Sequence, residues 1–260
     1  AAEYVATAKA LGIYCNNGGF NTDNYKVITR TGMVNNHYLA FSGGTPQSNY
    51  RASFGVMDHN TIIKKMDYNV FVAKVDVTQK AFNDRLTGEF GVFGSSFKNH
   101  DIFDTQMLFY SAACQNPTFP AGTDEHGNWL KNESATHINP PGILLEEKND
   151  SKDLNFDTHI KLSYDFNKNW RVSTFLYGST ENGQFCPTWV WAQGNVYRGE
   201  FKKEEWLGNV SLDFNKEFGI HKVSAGVSSE YRKLRKTAFW VYAKGIPTND
   251  FHYDNLGATA

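Results

Sequence analysis

The sequence predicts an all-β chain, folded as an antiparallel up-and-down sheet of about eight strands. Three observations carry this. Aromatic side chains make up 15% of the 260 residues, with 20 Phe and 13 Tyr beside 22 Gly and only 4 Met, a composition biased towards strands. Several long segments alternate apolar and polar residues with a period of two. The connections between those segments are alternately short and long.

The clearest segment is "LNFDTHIKLSYDF" (154–166). Leu154, Phe156, Thr158, Ile160, Leu162, Tyr164 and Phe166 alternate with Asn155, Asp157, His159, Lys161, Ser163 and Asp165. This is a strand of about 40 Å with one apolar face and one charged face. In chain order, "HYLAFSG" (37–43) and "NYRASFGVM" (49–57) flank the short break "GTPQS". "YNVFVAKVDVTQ" (68–79) sets Phe71, Ala73, Val75 and Val77 against Val72, Lys74, Asp76 and Thr78. "RLTGEFGVFGSS" (85–96) sets Leu86, Phe90 and Val92 against Thr87 and Glu89. After 154–166 come "WRVSTFLYGS" (170–179), "EWLGNVSLDF" (205–214) and "HKVSAGVSSEY" (221–231).

The first and second, third and fourth, fifth and sixth, and seventh and eighth strands are joined by short turns, among them "KAFND", "NKN" and "NKEFGI". The remaining connections are longer, the fourth-to-fifth from about 97 to 153 and the sixth-to-seventh from about 180 to 204. In a meander, this puts every tight turn at one end and every long loop at the other, as in outer-membrane-type barrels. Phe82, Phe166, Trp170, Phe214 and Phe218 sit at the tight turns, where an interfacial aromatic girdle would lie. If the tight turns are periplasmic, both chain ends fall on the extracellular side. A closed bacterial barrel begins and ends in the periplasm, so the expectation is part of a larger barrel.

Composition removes other classes. Lys plus Arg number 26 and Asp plus Glu 27, a net charge of −1 that gives no support to a nucleic-acid binder. No window of eighteen apolar residues marks a transmembrane helix, which leaves a β-barrel untouched. "AAEYVATAKALG" has no basic region followed by an apolar core, so a secretory signal is expected to lie outside this stretch. Cys15, Cys114 and Cys186 are too far apart for a zinc knuckle and odd in number for a disulfide framework.

Candidate chemistry is sparse. "GTDEHGNW" (122–129) puts Asp124, Glu125 and His126 side by side, but adjacent loop residues rarely converge on one ion, and a solvated loop is expected there. Asp58 and His59 find no nucleophile to serve, and no enzyme, cofactor or metal site is expected. "GVFGSS" and "FSGG" do not fit a phosphate loop. "CPTWVWAQGNVYRGE" (186–200) reads as an extracellular loop whose Trp189, Trp191, Tyr197 and Arg198 could contact a substrate, or pack against a partner. "DIFDTQMLFYSAACQNPTFP" (101–120) reads as a loop holding a short helix that ends by Pro117, with Ile102, Leu108, Phe109 and Ala112 at helical spacing. "ATAKALG" reads as a second short helix ending at Gly12.

Several long stretches resemble one family. "NYRASFGVMDHNTIIKKMDYNVFVAKVDVTQKAFNDRL" (49–86), "SSFKNHDIFDTQMLFYSAACQNPTFP" (95–120) and "PTWVWAQGNVYRGE" (187–200) look like the SusC/RagA-like TonB-dependent outer-membrane transporters of Bacteroidota. "DNYKVITRTG" (23–32), "HINPPGILLEEKND" (137–150) and "GIPTNDFHYDNL" (245–256) do so too. The resemblance implies a 22-stranded barrel closed by a plug, driven through the TonB complex and covered by a SusD-like lipoprotein. Such a transporter imports large nutrients such as oligosaccharides or peptides. Residues 1–31 would precede the first strand on the extracellular side. Residues 32–260 would form about eight early barrel strands, with long extracellular loops near 97–153, 180–204 and 235–260. No plug, TonB-interacting segment or closing C-terminal strand is recognised.

On this reading the apolar face meets lipid, and Lys74, Asp76, Asp157, His159 and Lys161 face the lumen or its plug. Two alternatives remain open at this level: a secreted carbohydrate-binding β-sandwich, and a self-contained eight-stranded outer-membrane barrel.

Overall fold

A computed structural model describes residues 1–130, 139–189, 194–245, 253–254 and 256–258. Eight strands follow one another: β1 (Met33–Gly44), β2 (Ser48–Asn60), β3 (Asp67–Ala81), β4 (Leu86–His100), β5 (Lys148–Asp165), β6 (Trp170–Trp189), β7 (Asn195–Phe218) and β8 (His221–Ala243). All pairings are antiparallel, and the order across the sheet is β1-β2-β3-β4-β5-β6-β7-β8. Among the described residues β1 and β8 do not pair with each other, so the sheet is open. It is a partial up-and-down barrel wall. A single sheet with no second sheet stacked on it overturns the sandwich, and the unpaired edges overturn the self-contained eight-stranded barrel.

All eight expected strands are present, and their ends are the correction. β6 and β7 run twenty and twenty-four residues, so the expected 180–204 loop shrinks to 190–194. The stretch 186–200 is mostly a β-ribbon, with Thr188 opposite Val196, and is not a loop. β8 likewise continues through Ala243, well into the segment expected to be a loop from 235. The physical reason is composition. Past the apolar residues both faces of these strands turn polar, as in "GEFKKEEW", and the period-two hydrophobic signal vanishes while backbone pairing continues.

Directly opposed residues in an antiparallel ladder share a face, so the register sorts the side chains. One face carries Leu39, Phe54, Ala73, Gly94 and Phe156 across β1–β5, and Tyr50, Val77, Phe90, Ile160 and Leu176 across β2–β6. On β5 the apolar residues of this face run from Leu154 to Tyr164. Ten residue steps cover about 34 Å of strand, which at a tilt of about 45° spans about 24 Å, the height of a barrel's lipid-facing band. Above it the same face becomes Asp58, Asn69, Lys98 and Lys152.

The tight turns step progressively along the sheet. The β1–β2 turn closes beside Gly44 and Asn49, a level that continues through Thr78, Glu89, Lys161 and Phe175 to Asn209. β7 runs on past Asn209 to its own turn at Phe218 and His221. Such stagger is the shear of tilted barrel strands. The aromatics expected at this end are there: the Trp170 and Phe214 rings lie 4.8 Å apart, and Tyr164 meets Phe166 edge-on at 5.2 Å.

At the other end the connections fold into a small cap. Helices α1 (Ala2–Ala10) and α3 (Thr105–Cys114) are the two expected ones, and Gly12 takes φ 67° just after the first. α2 (Asn24–Ile28) and α4 (Pro140–Glu146) are additional. Ile28, Ile63, Ile102, Leu108, Ala112, Ile143 and Leu144 form the buried core here, with Phe109 packed against it. Leu108, fully buried, contributes about 2 kcal/mol. Asp23 and Asp104 cap α2 and α3 through the backbone N–H of Lys26 and Met107. Lys64 Nζ donates to the carbonyls of Lys26 and Val27 at 2.9 and 2.7 Å, a cation on the end of α2.

Candidate functional site

The opposite face of the sheet is polar over its whole height, and it holds all five residues expected to point inward. Lys74 shares a row with Ser53, Phe93, Asp157, Ser179 and Glu205. Asp76 shares the next with Arg51, Gly91, His159 and Tyr177, and Lys161 shares the one after with Thr78, Glu89 and Phe175. Face membership follows from alternation along each strand. Assembly into one surface follows from register.

The side chains on this face pair with one another. Lys74 Nζ lies 3.0 Å from Asp76, and Lys161 Nζ donates to Glu89 at 3.3 Å. Asp157 accepts from Tyr177 Oη at 3.1 Å and from Asn155 Nδ2 at 2.9 Å. Arg232 Nε donates to Glu205 at 2.6 Å, and the Glu205 side chain is only 12% exposed. Lys203 meets Glu181 at 3.5 Å, and Arg171 grips Asp165 through two nitrogens at 2.7 and 2.9 Å. Ser95, Asn155, Asp157, Tyr177, Glu181 and Glu205 are among the residues lining a cavity of about 330 Å³ on this face. Neutralised charge with many free acceptor and donor sites is a surface that water, a polar solute or another polar protein surface can wet. Hydrocarbon cannot cover it at acceptable cost.

Sequence reasoning missed Glu181, Lys203, Glu205 and Arg232 as members of this face. The first two and the last lie where β6, β7 and β8 outrun their apolar signal. What could have found them is the charge alternation Lys203, Glu205 and Arg232, Lys236 on alternate positions.

The 186–200 group does not converge. Tyr197 lies on the polar face, stacked on Tyr242 with ring centroids 4.4 Å apart. Arg198 points to the other face, where its guanidinium meets Glu200 at 3.2 Å. Trp189 ends β6, its backbone opposite Asn195, and Trp191 lies outside the described residues. Adjacent strand residues point oppositely, so Tyr197 and Arg198 cannot grip one ligand together.

The Asp124-Glu125-His126 triplet is a turn. Asp124 Oδ1 accepts from the backbone N–H of His126 at 2.9 Å and of Asn128 at 2.8 Å, and the Asn128 amide donates to the same carboxylate. The Asn128 side chain, then its backbone, hold the Asp124 carboxyl below its usual value of 3.8. Among the described residues no group of three His, Cys, Asp or Glu could hold a metal ion.

Comparison with known proteins follows the same line. No family model matches the chain. It is similar to "TonB-dependent receptor P3" of Formosa agariphila, at 27% identity over 92% of this chain and 25% of that protein. It is also similar to "TonB-dependent receptor SusC" of Bacteroides thetaiotaomicron, at 26% identity over 78% of this chain and 22% of that protein. The chain thus spans about a quarter of the length of the curated relatives it matches. Its fold superposes on the RagAB peptide transporter with a TM-score of 0.74, and on the open-open state of that importer with 0.73. Both cover 92% of this chain and 28% of the other, at 12% identity. The SusC/RagA-like resemblance carried by 49–86, 95–120 and 187–200 is therefore found in sequence and in fold.

Proposed function

We propose that this chain forms early barrel strands of a TonB-dependent outer-membrane transporter that imports large nutrients such as oligosaccharides or peptides. The observation that carries the reading is the sheet's division into two faces: an apolar band about 24 Å high and, behind it, a continuous charged surface. A wall between hydrocarbon and a water-filled or plugged lumen requires this. The RagAB title names a peptide transporter, which supports peptides as one cargo class. Its partners in this reading are outer-membrane lipid, a SusD-like lipoprotein over the α2–α4 cap, and the TonB complex acting through other parts of the transporter.

Sidedness tests it. Antibodies against the 101–120 loop should label intact source cells, and antibodies against the 166–169 turn should label only permeabilised ones. The immunoreactive band should fractionate with the outer membrane. Recovery of the native protein in the soluble fraction would overturn the reading.

A further inference from the structure

Lys98 on β4 and Lys152 on β5 are directly opposed on the apolar face, at the level where the band ends. Like charges opposite one another destabilise a sheet, and among the described residues neither lysine is in an ion pair. The nearest carboxylate up the same face, Asp150, already receives His100 Nδ1 at 3.0 Å and the Tyr253 hydroxyl at 2.7 Å. Alongside, a groove of about 480 Å³ opens on this face, lined by Lys152, Leu154, Gln184, Lys202 and Phe239 among others. Leu154 and Phe239 give it apolar walls, and both are exposed. Lys202 is held by Glu204 at 2.7 Å, which leaves the Lys98–Lys152 pair as the uncompensated charge.

We infer that this groove seats one anionic, phosphate-bearing lipid of the surrounding leaflet, with the phosphate between Lys98 and Lys152 and an acyl chain descending over Leu154. Charge complementarity and position select this occupant. The lysines stand at the upper edge of an apolar band, where headgroup phosphates lie, and the groove continues into the band. The inference rests on the reading that this face meets lipid.

The test uses the full-length transporter reconstituted with spin-labelled phosphatidylglycerol or phosphatidylcholine. The motionally restricted lipid fraction should favour phosphatidylglycerol, and Lys98→Gln with Lys152→Gln should reduce that preference by about fivefold for each lysine removed. Inorganic phosphate should not displace the restricted lipid. A second readout guards against a folding defect: Lys98→Gln alone should raise the melting temperature in neutral detergent, by relieving repulsion, and lose that advantage in phosphatidylglycerol. An unchanged preference in the double variant, or displacement by inorganic phosphate, would overturn the lipid seat while restricted lipid of both kinds upheld the barrel. Absence of any restricted lipid would instead sink the barrel reading, and the seat with it.

Discussion

The imidazole of His159 lies across the face of Gly91, its partner in the β4–β5 ladder, so closely that a Cβ on Gly91 would run into the ring. The ring then meets Phe175 on the far side at 5.9 Å. A glycine in a strand normally weakens it. Here it makes room for a histidine to lie flat on the polar face. Gly91→Ala is therefore expected to cost about 1–3 kcal/mol by overpacking, and His159→Ala should restore most of it. A double-mutant cycle by urea unfolding in vesicles reads the coupling, and additive effects would refute the contact.

His159 and Ile160 are neighbours on opposite faces, which gives a sharper test of the whole assignment. Ile160→Arg puts a cation in the apolar band and should destabilise the refolded full-length protein by about 2–4 kcal/mol. His159→Arg keeps the charge on the polar face and should cost well under about 1 kcal/mol. Equal costs would mean that the faces are not what they are taken to be.

The β3–β4 turn carries three successive non-glycine residues in left-handed backbone: Phe82 at φ 55°, Asn83 at 54° and Asp84 at 63°. Asn and Asp tolerate that region, whereas a bulky aromatic pays for it. Phe82 is 70% exposed, so no core contact compensates in the sheet itself. An interfacial anchor accounts for it. Phe82→Gly should stabilise the turn by about 1 kcal/mol in detergent yet weaken partitioning into bilayers, measured as refolding yield into vesicles. A loss in both media would rule the anchor out.

Asp124 gives a pH dependence confined to the cap. Its carboxyl is held below 3.8 chiefly by Asn128, so the folded turn favours the charged form. That contribution is fully present above the ordinary value and is lost as pH falls through the lowered one. Amide exchange at His126 and Asn128 should stay slow down to about pH 4 and accelerate below it, after correction for intrinsic exchange. Asp124→Asn should show the fast exchange at every pH.

Eight strands were legible because a half-buried strand writes a period of two, and "YNVFVAKVDVTQ" and "LNFDTHIKLSYDF" write it without interruption. The inward placement of Lys74, Asp76, Asp157, His159 and Lys161 followed from that period alone. The upper halves of β6, β7 and β8 were not legible, since residues such as Lys202, Lys203, Glu204 and Glu205 are polar on both faces and leave only hydrogen bonding to mark the strand. Helices α2 and α4, of five and seven residues, are too short to show a helical period. The pairings Tyr177–Asp157 and Arg232–Glu205 depend on register between strands, which no single segment encodes.

The strict neighbour order of the sheet has a consequence for assembly. Each strand pairs only with the one before and the one after it, and most of those partners are joined by a few residues. Closing such contacts demands little loop entropy, so the wall can grow one hairpin at a time from either end, each new hairpin finding a ready template in the last. The exception is the β4–β5 junction, where the chain leaves at His100 and returns at Lys148. Its cap core, anchored by Leu108 and Ile143, is what brings those two ends back together, and the order of events there sets the pace for the rest.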